Sequence, residues 1–534
     1  MMVSMSFYSE ITELILSKRI QSKKELHEVK KKLCKKYNID SIPPDSEILA
    51  RLPSDFTDDE RELTVEILRK KPTRTISGVA IVAVMTSPAE CPHGRCIPCP
   101  GGPSSNTPQS YTGYEPASMR ALLNNFDPFM QTTNRLKQLK SIGHAVDKVD
   151  FIIMGGTFTS RSPFYQGWFV KRCFDALNGK QSSSLDEAKK INEISRSRCI
   201  GLTVETRPDW FRLQHADHVL NLGATRVELG VQSVYDDVLY AMGRGHTVMD
   251  SVYATRIAKD CGFKVCYHMM PGLVDSNEKK DIDSFRTIFE DDLFKPDMIK
   301  IYPTLTVKGT QLYELWKQGE YLPLTTEKAS KLVAEIKKFV PEWVRIQRIQ
   351  RDIPLQHIEA GVNKSNLRQL AEAELKKHGH SCRCIRCREI GHKSLEDKIE
   401  INEEDIVFDT CYYEASGSSE VFISLVDKKN DYLVGYLRLR DIVCSHRLEL
   451  QKKPCMIIRE LKVLGRELPI GKKNINGWQH RGFGKELVDE AERVCFEKFD
   501  KKFLFVLSGV GVKEYYRKLG FVDDGVYLSK NLHG

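Results

Sequence analysis

Short apolar runs that alternate with helical stretches constrain the fold of this chain more than any other feature of its sequence. Six runs rich in β-branched residues are predicted strands: Val79–Met85, Val149–Met154, Ile200–Val204, Arg226–Val231, Lys264–His268 and Met298–Tyr302. Helices are predicted in the intervals Met119–Ile142, Trp210–Leu222, Val248–Cys261 and Ile282–Leu293. This alternation predicts an α/β fold of six βα units, arranged as a parallel barrel or part of one. The first strand is expected to be buried on both faces.

Polar residues follow several of these strands, at the ends where parallel barrels carry their chemistry. The first strand leads into a loop with Cys91, Cys96 and Cys99. Three thiolates can hold three irons of a 4Fe–4S cluster and leave the fourth iron open to a substrate or cofactor. A structural zinc loop, with His93 as the fourth ligand, is the alternative. The later strand ends add Gly155, Gly156 and Thr157, Glu205 and Arg207, Gln232 and Ser233, and His268.

A glycine-containing loop precedes a predicted helix, Glu486–Phe496, near the C-terminus. The loop consists of Gln479, His480, Arg481, Gly482, Phe483 and Gly484. Glycines at a helix N-terminus let backbone N–H groups approach an anion, and the helix dipole favours negative charge there, although an ordinary turn also explains them. The flanking segments are predicted strands: Val421–Val426, Tyr432–Leu439, Pro454–Leu464 and Phe503–Leu507. Tyr515 and Tyr516 follow, either as part of a site or as packed side chains.

A second group of cysteines lies between these regions. Cys382, Cys384 and Cys387 form a Cys-x-Cys-x-x-Cys knot beside His378 and His380. Thiolates with an imidazole at this density favour tetrahedral zinc, which would hold together a segment with little core of its own. A second iron–sulfur cluster is the alternative. His380 is the first candidate for the fourth ligand, and a distant cysteine is the second.

Length and composition restrict the class of protein. A chain of 534 residues is too long for one core and predicts two to three domains. No apolar stretch approaches the roughly 20 residues that span a bilayer, and Glu10 and Glu13 make the N-terminus unlike a secretory signal. Fifteen cysteines, six of them in the two cysteine groups, do not resemble the disulfide framework of a secreted protein. These features predict a cytoplasmic protein with reduced thiols and no membrane partner.

The net charge is +9, and much of it lies in the segment Lys18–Lys36, where nine residues are lysine or arginine. Interspersed apolar residues predict a pair of short amphipathic helices with a basic outer surface, which is either a solvated face or a surface for a phosphate backbone. Residues 42–59 are predicted to be a linker before a helix at Asp59–Lys70, and residues 345–351 a strand with one basic face. Six arginines are expected at the barrel rim: Arg161, Arg207, Arg244, Arg345, Arg348 and Arg351. Nucleic acid is therefore a predicted partner.

Three cysteines after the first strand and a Gly-Gly after the second resemble the radical S-adenosylmethionine (SAM) enzymes. Four residues separate Cys91 from Cys96, one more than is usual there. This longer gap and the ending Cys-Pro-Gly-Gly resemble the Elongator complex protein 3 family, the Elongator catalytic subunits. The loop Gln-x-x-Gly-x-Gly is similar to the acetyl-CoA pyrophosphate loop of GNAT acetyltransferases, and residues 508–521 resemble the C-terminal helix of that fold. The resemblance covers nearly the whole chain.

This resemblance implies a partial (β/α)6 radical SAM barrel, a mixed α/β GNAT domain and a small basic helical N-terminal module. The implied boundaries are a tRNA-binding module at 1–73, the barrel at 74–355, a zinc-binding linker at 356–400 and an acetyl-CoA-binding domain at 401–534. The implied reaction makes 5-carboxymethyluridine at the wobble uridine, position 34, of tRNA. A deoxyadenosyl radical from SAM takes a hydrogen from the acetyl-CoA methyl group, the carbon radical adds to the uracil ring, and the thioester is hydrolysed.

The resemblance also assigns roles to individual residues. The three cysteines Cys91, Cys96 and Cys99 are expected to ligate the 4Fe–4S cluster. Gly155, Gly156 and Glu205 are expected to hold SAM. Lys300 and Lys308 are candidates for contact with bound substrate or cofactor. A surface position is the alternative for Lys300, as it is for Lys308. The loop Gln479 to Gly484 is expected to cradle the pyrophosphate of acetyl-CoA, with Tyr515 and Tyr516 along the thioester arm.

Two rival functions stay open on the sequence alone. A protein lysine acetyltransferase would use only the C-terminal fold, with a structural cluster and a general base such as Glu460. A non-catalytic tRNA-binding scaffold would have lost both cofactor sites. The expected partners are the tRNA anticodon stem-loop, acetyl-CoA and an electron donor, with a homo-oligomer or accessory subunits as further options. The radical scheme requires the two cofactor pockets to face each other.

Overall fold

A seven-stranded parallel sheet forms the larger part of the protein. The computed structural model describes residues 2–71, 75, 77–391, 403–451, 453–465 and 482–533, with side chains from residue 7 onward. The strands pair in chain order: β1 (Ala80–Met85), β2 (Lys148–Met154), β3 (Arg198–Thr206), β4 (Arg226–Gln232), β5 (Lys264–Met269), β6 (Met298–Ile301) and β7 (Arg345–Ile349). No pairing of β1 with β7 occurs among the described residues, so the sheet is an open partial barrel. The fold is therefore a partial α/β barrel, as predicted.

The sheet differs from the prediction in two respects. A seventh strand, β7, pairs in parallel with β6 and extends the six predicted units; it occupies the segment predicted to be a strand with a basic face. β1 is not buried on both faces, because Ile81 is 47 % exposed. An edge strand of an open barrel has one face toward the lumen, which is not filled by a packed helix.

Helices cover the outer face of this sheet. They are Pro116–Leu123, Pro128–Ser141, Pro163–Asn178, Leu185–Asn192, Leu213–Asn221, Asp236–Ala241, Val248–Asp260, Glu278–Glu290, Gln311–Lys317 and Thr326–Lys338. The prediction of a single helix at Met119–Ile142 is wrong. Two helices form there, because Asn125 and Phe126 adopt positive φ angles and Asp127 caps a new helix that has Pro128 in its first turn. Two further helices lie at the cysteine knot: Leu367–Lys377 precedes it, and Ile385–Arg388 contains Cys387.

A second seven-stranded sheet, of mixed direction, is built from the C-terminal part of the chain. Its strands are β8 (Ile406–Ala415), β9 (Ser418–Asp427), β10 (Tyr432–Asp441), β11 (Cys455–Val463), β12 (Phe503–Val506), β13 (Val522–Asp524) and β14 (Tyr527–Asn531). The strands β8, β13 and β14 were not predicted from the sequence. The helices of this sheet are Leu448–Gln451, Phe483–Arg493 and Lys513–Arg517. The predicted helix over 508–521 is therefore only five residues long.

The N-terminal segment packs four helices around a small apolar core of its own: Met2–Leu16, Lys23–Lys36, Asp45–Ala50 and Asp58–Leu68. The sequence predicted a pair of short basic amphipathic helices, and the basic residues lie mainly on one of them, Lys23–Lys36, in which Leu26 and Leu33 are buried while most lysines are exposed. Its Lys30 is buried and lies 2.9 Å from the Asp45 carboxylate. The segment predicted to be a linker, residues 42–59, contains the helix Asp45–Ala50. No helix among the described residues is both long and apolar enough to cross a membrane.

A fully buried network of charges joins the two sheets. Arg459 on β11 places its guanidinium 2.6 and 2.7 Å from the two oxygens of Asp297, the residue that precedes β6. Arg459 also contacts Glu420 on β9, whose carboxylate lies 3.2 Å from Lys259 and 3.0 Å from Arg440. Removing one partner of such a buried pair typically costs about 3–5 kcal/mol. The second sheet is therefore fixed against the N-terminal ends of the barrel strands.

Candidate active site

One cavity of about 1380 Å³ runs through the open barrel and reaches the second sheet. Cys91, Cys96 and Cys99 line one end of it, beyond the C-terminal end of β1. The opposite end is lined by residues of the second sheet and its helices: Glu460, Lys462, Gly482, Phe483, Gly484, Tyr515 and Tyr516. A six-residue strand spans roughly 20 Å at about 3.3 Å per residue, so the two ends are separated by about the height of the barrel. The two predicted cofactor pockets share one cavity.

Each thiol of the cysteine loop has a polar neighbour. The Cys91 Sγ lies 3.5 Å from the hydroxyl of Thr157, which follows the two glycines after β2. The backbone N–H of Ser110 donates to the Cys99 Sγ at 3.2 Å. Burial raises the pKa of Cys91 and of Cys99 above the ordinary value. Binding of a metal would favour the thiolate form of these buried groups.

Cys96 has two neighbours that can donate to a thiolate. The His93 Nε2 lies 3.0 Å from the Cys96 Sγ, and the Arg244 Nη1 lies 3.6 Å from it. The guanidinium of Arg244 also donates to the Gly230 carbonyl at 2.7 Å, which fixes its position. His93, the alternative zinc ligand from the sequence, thus contacts one of the three sulfurs.

The spacing of the three thiols fits a cluster better than a single ion. Four sulfurs around one zinc lie about 3.8 Å apart, given a Zn–S bond of about 2.3 Å. Within the described part of the chain, the sulfurs of Cys91, Cys96 and Cys99 do not all lie within 4.8 Å of one another. Gly156 lies beside this loop, since a β-carbon there would be 3.8 Å from the Cys91 Sγ, an ordinary van der Waals distance. The arrangement suits a polynuclear cluster with an open face toward the cavity.

A polar network occupies the middle of the cavity wall. The Tyr111 hydroxyl donates to the Glu205 carboxylate at 2.8 Å, and the Lys300 ammonium lies 3.6 Å from the other Glu205 oxygen. Lys300 also contacts the buried carboxylate of Glu228. The His268 Nε2 lies 2.8 Å from the same carboxylate. The surface alternative for Lys300 is thereby excluded, because this side chain is 7 % exposed.

Charge pairing sets the protonation of this network. Burial alone would raise the pKa of Glu228, but Lys300 and His268 hold it well below its usual range. Burial alone would lower the pKa of Lys300, but the carboxylate of Glu228 raises it well above its usual range. Glu228, Cys266 and His268 have ligand atoms within 4.8 Å of one another. The Lys300 ammonium neutralises Glu228, so this group suits an ion-pair network better than a metal ion.

The opposite end of the cavity lies where β11 and β12 separate. The two strands pair in parallel only from Cys455–Phe503 to Ile458–Val506, and the rest of β11 continues without β12. Helix Phe483–Arg493 begins beside this opening, after Gly482 with a φ of +100°. A β-carbon on Gly484 would lie 2.7 Å from the Tyr515 hydroxyl. The helix N-terminus and Tyr515 therefore approach each other closely, and a side chain at position 484 would require the Tyr515 hydroxyl to move.

The tyrosine pair presents two different surfaces. Tyr515 is 38 % exposed and lines the cavity, whereas Tyr516 is buried and packs edge-on against it with centroids 5.2 Å apart. Burial raises the pKa of Tyr515 to about 12, so its hydroxyl stays protonated. The predicted residues Gln479, His480 and Arg481 lie outside the described residues.

The second cysteine group gathers its thiols more tightly. The sulfurs of Cys382, Cys384 and Cys387 all lie within 4.8 Å of one another. His380 is exposed and does not belong to this described group. The buried Lys337 ammonium lies 3.6 Å from the Cys387 Sγ. This spacing suits a single tetrahedral ion.

The six predicted rim arginines do not form an exposed basic rim. Arg207 is buried and pairs with Asp209 at 2.8 Å, and Arg345 pairs with the buried Glu389 at 2.6 Å. All but Arg161 line the cavity. Tyr111 and Glu228 also belong to the site but were not predicted from the sequence. A lone carboxylate inside the apolar strand β4 was the available signal for Glu228, since a buried charge requires a partner.

Three family models match the chain: the ELP3 N-terminal domain at residues 4–76, the radical SAM superfamily at residues 89–287 and the radical SAM C-terminal domain at residues 296–377. A relative from Methanocaldococcus jannaschii, named tRNA uridine(34) acetyltransferase, is 50% identical over 516 residues, which cover 96% of this chain and 94% of the relative. Elongator complex protein 3 of Homo sapiens is 44% identical over 519 residues, which cover 95% of this chain and 93% of the relative. The chain belongs to the Elongator complex protein 3 family.

A solved structure from the same family agrees with the fold. The archaeal Methanocaldococcus infernus Elp3 with N-terminus deletion (1-46) matches with a TM-score of 0.76 and 46% sequence identity, covering 86% of this chain and 100% of that chain. As a member of the radical SAM superfamily, this protein uses a 4Fe–4S cluster and SAM. The sequence-based recognition of the family is confirmed.

Proposed function

We propose that this protein forms 5-carboxymethyluridine at uridine 34 of tRNA, using acetyl-CoA and radical SAM chemistry. One observation carries the proposal: a single cavity joins the cysteine loop to the loop of Gly482 and Gly484. Relatives at up to 50% identity are named tRNA uridine(34) acetyltransferase, which supports the same substrate. A methyl group of acetyl-CoA and carbon 5 of uracil are both unreactive at neutral pH, so a radical route explains why two cofactor sites share one cavity.

Residues at the C-terminal strand ends would hold the cluster and SAM. Cys91, Cys96 and Cys99 would ligate three irons, and the remaining iron would bind SAM, whose reductive cleavage supplies the radical chemistry. Gly155 and Gly156, with φ angles of +133° and +88°, form a turn beside the cysteines that packs too closely against Thr86 for a side chain at 155. Glu205 and Lys300, at the neighbouring strand ends, would bind the polar parts of SAM.

Acetyl-CoA would bind at the opposite end of the cavity. The N-terminus of helix Phe483–Arg493 offers backbone N–H groups and a favourable dipole to the pyrophosphate. Tyr515 would contact the thioester arm, which extends between β11 and β12 into the barrel. Gln479, His480 and Arg481 would complete the phosphate contacts. We propose that residues 401–534 form a GNAT-type domain on this basis.

Positive charge supports tRNA as the substrate. Among the described residues that line the cavity, fifteen are lysine or arginine and seven are aspartate or glutamate. Exposed lysines of helix Lys23–Lys36 add a basic surface to the N-terminal module, residues 1–73. Phosphate contacts of this kind weaken steeply with salt. A base in the anticodon loop is unpaired and can enter a recessed site, whereas a paired base would first have to flip out.

Zinc would occupy the second cysteine group, in the linker of residues 356–400. Cys382, Cys384 and Cys387 supply three thiolates at the spacing of one tetrahedral ion. His380 stays the predicted fourth ligand. Because Cys384 belongs to the core shared with the barrel, the ion would anchor this linker to the barrel.

The geometry disfavours the alternative, a protein lysine acetyltransferase with Glu460 as general base. Burial alone would raise the pKa of Glu460, but Arg438 and Lys264 lower it below the ordinary value. Its carboxylate accepts a hydrogen bond from the Arg438 Nε at 2.8 Å. A general base works best with a pKa near the working pH, so an ion-paired carboxylate is a weak candidate.

Anaerobic reconstitution with iron and sulfide tests the proposal. The reconstituted protein is incubated with SAM, a reductant, acetyl-CoA labelled in its acetyl group, and tRNA. We expect label in carboxymethyluridine at position 34 and no product from Cys96→Ala. Label in protein lysines with unmodified tRNA would instead support the acetyltransferase. An electron donor, a cytoplasmic location and a homo-oligomer or accessory subunits complete the proposed setting.

A further inference from the structure

Nearly every acid–base group in the cavity wall is already bound to a charged or N–H partner. The described carboxylates that line the cavity accept from cations or from backbone N–H groups: Glu115, Asp150, Glu205, Glu228, Asp352, Glu389 and Glu460. Two described histidines line the cavity, and His93 lies 3.0 Å from the Cys96 sulfur. The remaining histidine is His268. Among the described lining residues, it alone offers an imidazole that contacts no cluster ligand.

The surroundings of His268 fix the orientation of its ring. Its Nε2 lies 2.8 Å from the Glu228 carboxylate, which is fully buried and also contacts Lys300. Tyr302 packs edge-on against the ring, with centroids 5.5 Å apart. An ionised carboxylate requires the proton on Nε2, so the lone pair is on Nδ1. Within the described part of the chain, Nδ1 has no hydrogen-bond partner.

The position of His268 along its strand places it between the two ends of the cavity. It is the fifth residue of β5, so it lies roughly 13 Å from Lys264, the first residue, at about 3.3 Å per residue. Lys264 belongs to the end of the barrel near the second sheet. Once the acetyl carbon has joined the uracil ring, the thioester carbonyl lies one bond from that carbon, close to the base. At this height in the barrel, His268 lies where the uracil base must bind in order to react with a radical formed next to the cysteine loop.

We propose that His268, oriented by Glu228, is the general base that hydrolyses the thioester of the uridine adduct, an inference that rests on the function proposed above. The Nδ1 takes a proton from water as the water oxygen forms a bond to the thioester carbonyl carbon. The carbon–sulfur bond then breaks, and the departing CoA thiolate takes a proton back from the imidazolium. Water and thioester give a carboxylic acid and CoA thiol, with no net oxidation or reduction. Lys300 neutralises Glu228 and keeps the dyad in place.

The test uses His268→Gln, which keeps an N–H donor for Glu228 and removes the basic lone pair. His268→Asn is the second variant, and His533→Gln is the matched control, because His533 is exposed and outside the described cavity lining. Each reconstituted protein is given SAM, reductant, acetyl-CoA and tRNA, and the tRNA is examined by mass spectrometry. General-base catalysis contributes at least about 100-fold. We expect hydrolysis to slow by about that factor in both variants and CoA thioester-linked uridine to accumulate, identified by its conversion to a hydroxamate with hydroxylamine.

Other results separate the two proposals. Iron content, melting temperature and the acetyl-CoA dissociation constant should match wild type in all three variants. Carboxymethyluridine formed at the wild-type rate by His268→Gln would overturn the role of His268. Loss of 5′-deoxyadenosine without any thioester adduct would also overturn it, because His268 would then act on SAM. A wild-type enzyme that leaves uridine 34 unmodified would refute the proposed function itself.

Discussion

The two cysteine groups each offer three thiols, but the protein places them in opposite surroundings. Cys91, Cys96 and Cys99 line a large cavity, and their sulfurs are not all within 4.8 Å of one another. Cys382, Cys384 and Cys387 draw together within that distance and do not appear in the described cavity lining. A catalytic metal site keeps an open face, whereas a structural site closes around its ion. The spacing of the sulfurs and their place in the wall of a cavity, more than their number, therefore separate a reactive site from a structural one.

The largest difference between the groups should appear on removal of one sulfur from the cavity loop. Cys96→Ser is expected to lose the cluster and to reduce 5′-deoxyadenosine formation by at least about 1000-fold, since the radical chemistry depends on the intact site. Zinc content should stay unchanged. Iron, zinc and 5′-deoxyadenosine are measured together. Cys444→Ser, which changes an exposed thiol outside both groups, is the control and should behave as wild type.

Removal of a sulfur from the knot of Cys382, Cys384 and Cys387 is expected to lower the stability of the protein more than its SAM cleavage. Cys384→Ser is expected to lose zinc and about 2 kcal/mol of stability, which lowers the melting temperature by about 2 °C for a chain of this size. Iron content should match wild type. Differential scanning calorimetry and metal analysis provide the measurement. Loss of iron in this variant would contradict the separation of the two cysteine groups, because the two groups would then depend on each other.

A cation beside each group allows a finer test. Arg244→Gln removes the guanidinium 3.6 Å from the Cys96 sulfur and is expected to slow SAM cleavage about 30-fold while iron content is kept. A less positive environment makes reduction of the cluster harder, so its midpoint potential should also fall. Arg286→Gln, at a half-exposed helix position, is the control. An unchanged potential in Arg244→Gln would show that this charge does not act on the cluster.

The smallest effect is expected at the corresponding position of the knot. Lys337→Met removes the ammonium 3.6 Å from the Cys387 sulfur and should weaken zinc binding about tenfold, since negative charge on the thiolates is no longer offset. SAM cleavage should be unaffected. Competition with a chromogenic chelator measures the affinity. Lys338→Met is the matched control, because the Lys338 side chain is more exposed and pairs with Glu335 on its own helix.

Local patterns predicted most of the fold but not its boundaries. The apolar runs identified β1 to β6 and four strands of the second sheet, because buried strands need continuous apolar residues. The short strands β13 and β14 and the largely exposed edge strand β8 carry no such run and were missed. The break before Pro128 was missed because apolar periodicity continues across it. Turn chemistry there overrides the helical pattern.

The sequence by itself determined which side chains can hold metal and bind anions, because thiol spacing in a loop and glycines at a helix start are local properties. It could not determine that loops far apart in the chain share one cavity, or that Glu228, His268 and Lys300 form one network. Those three residues come from different strands, and only the register of the sheet brings them together. The buried network around Arg459 likewise fixes how the two sheets meet. Long-range pairing, which no short pattern encodes, decided the architecture of the site.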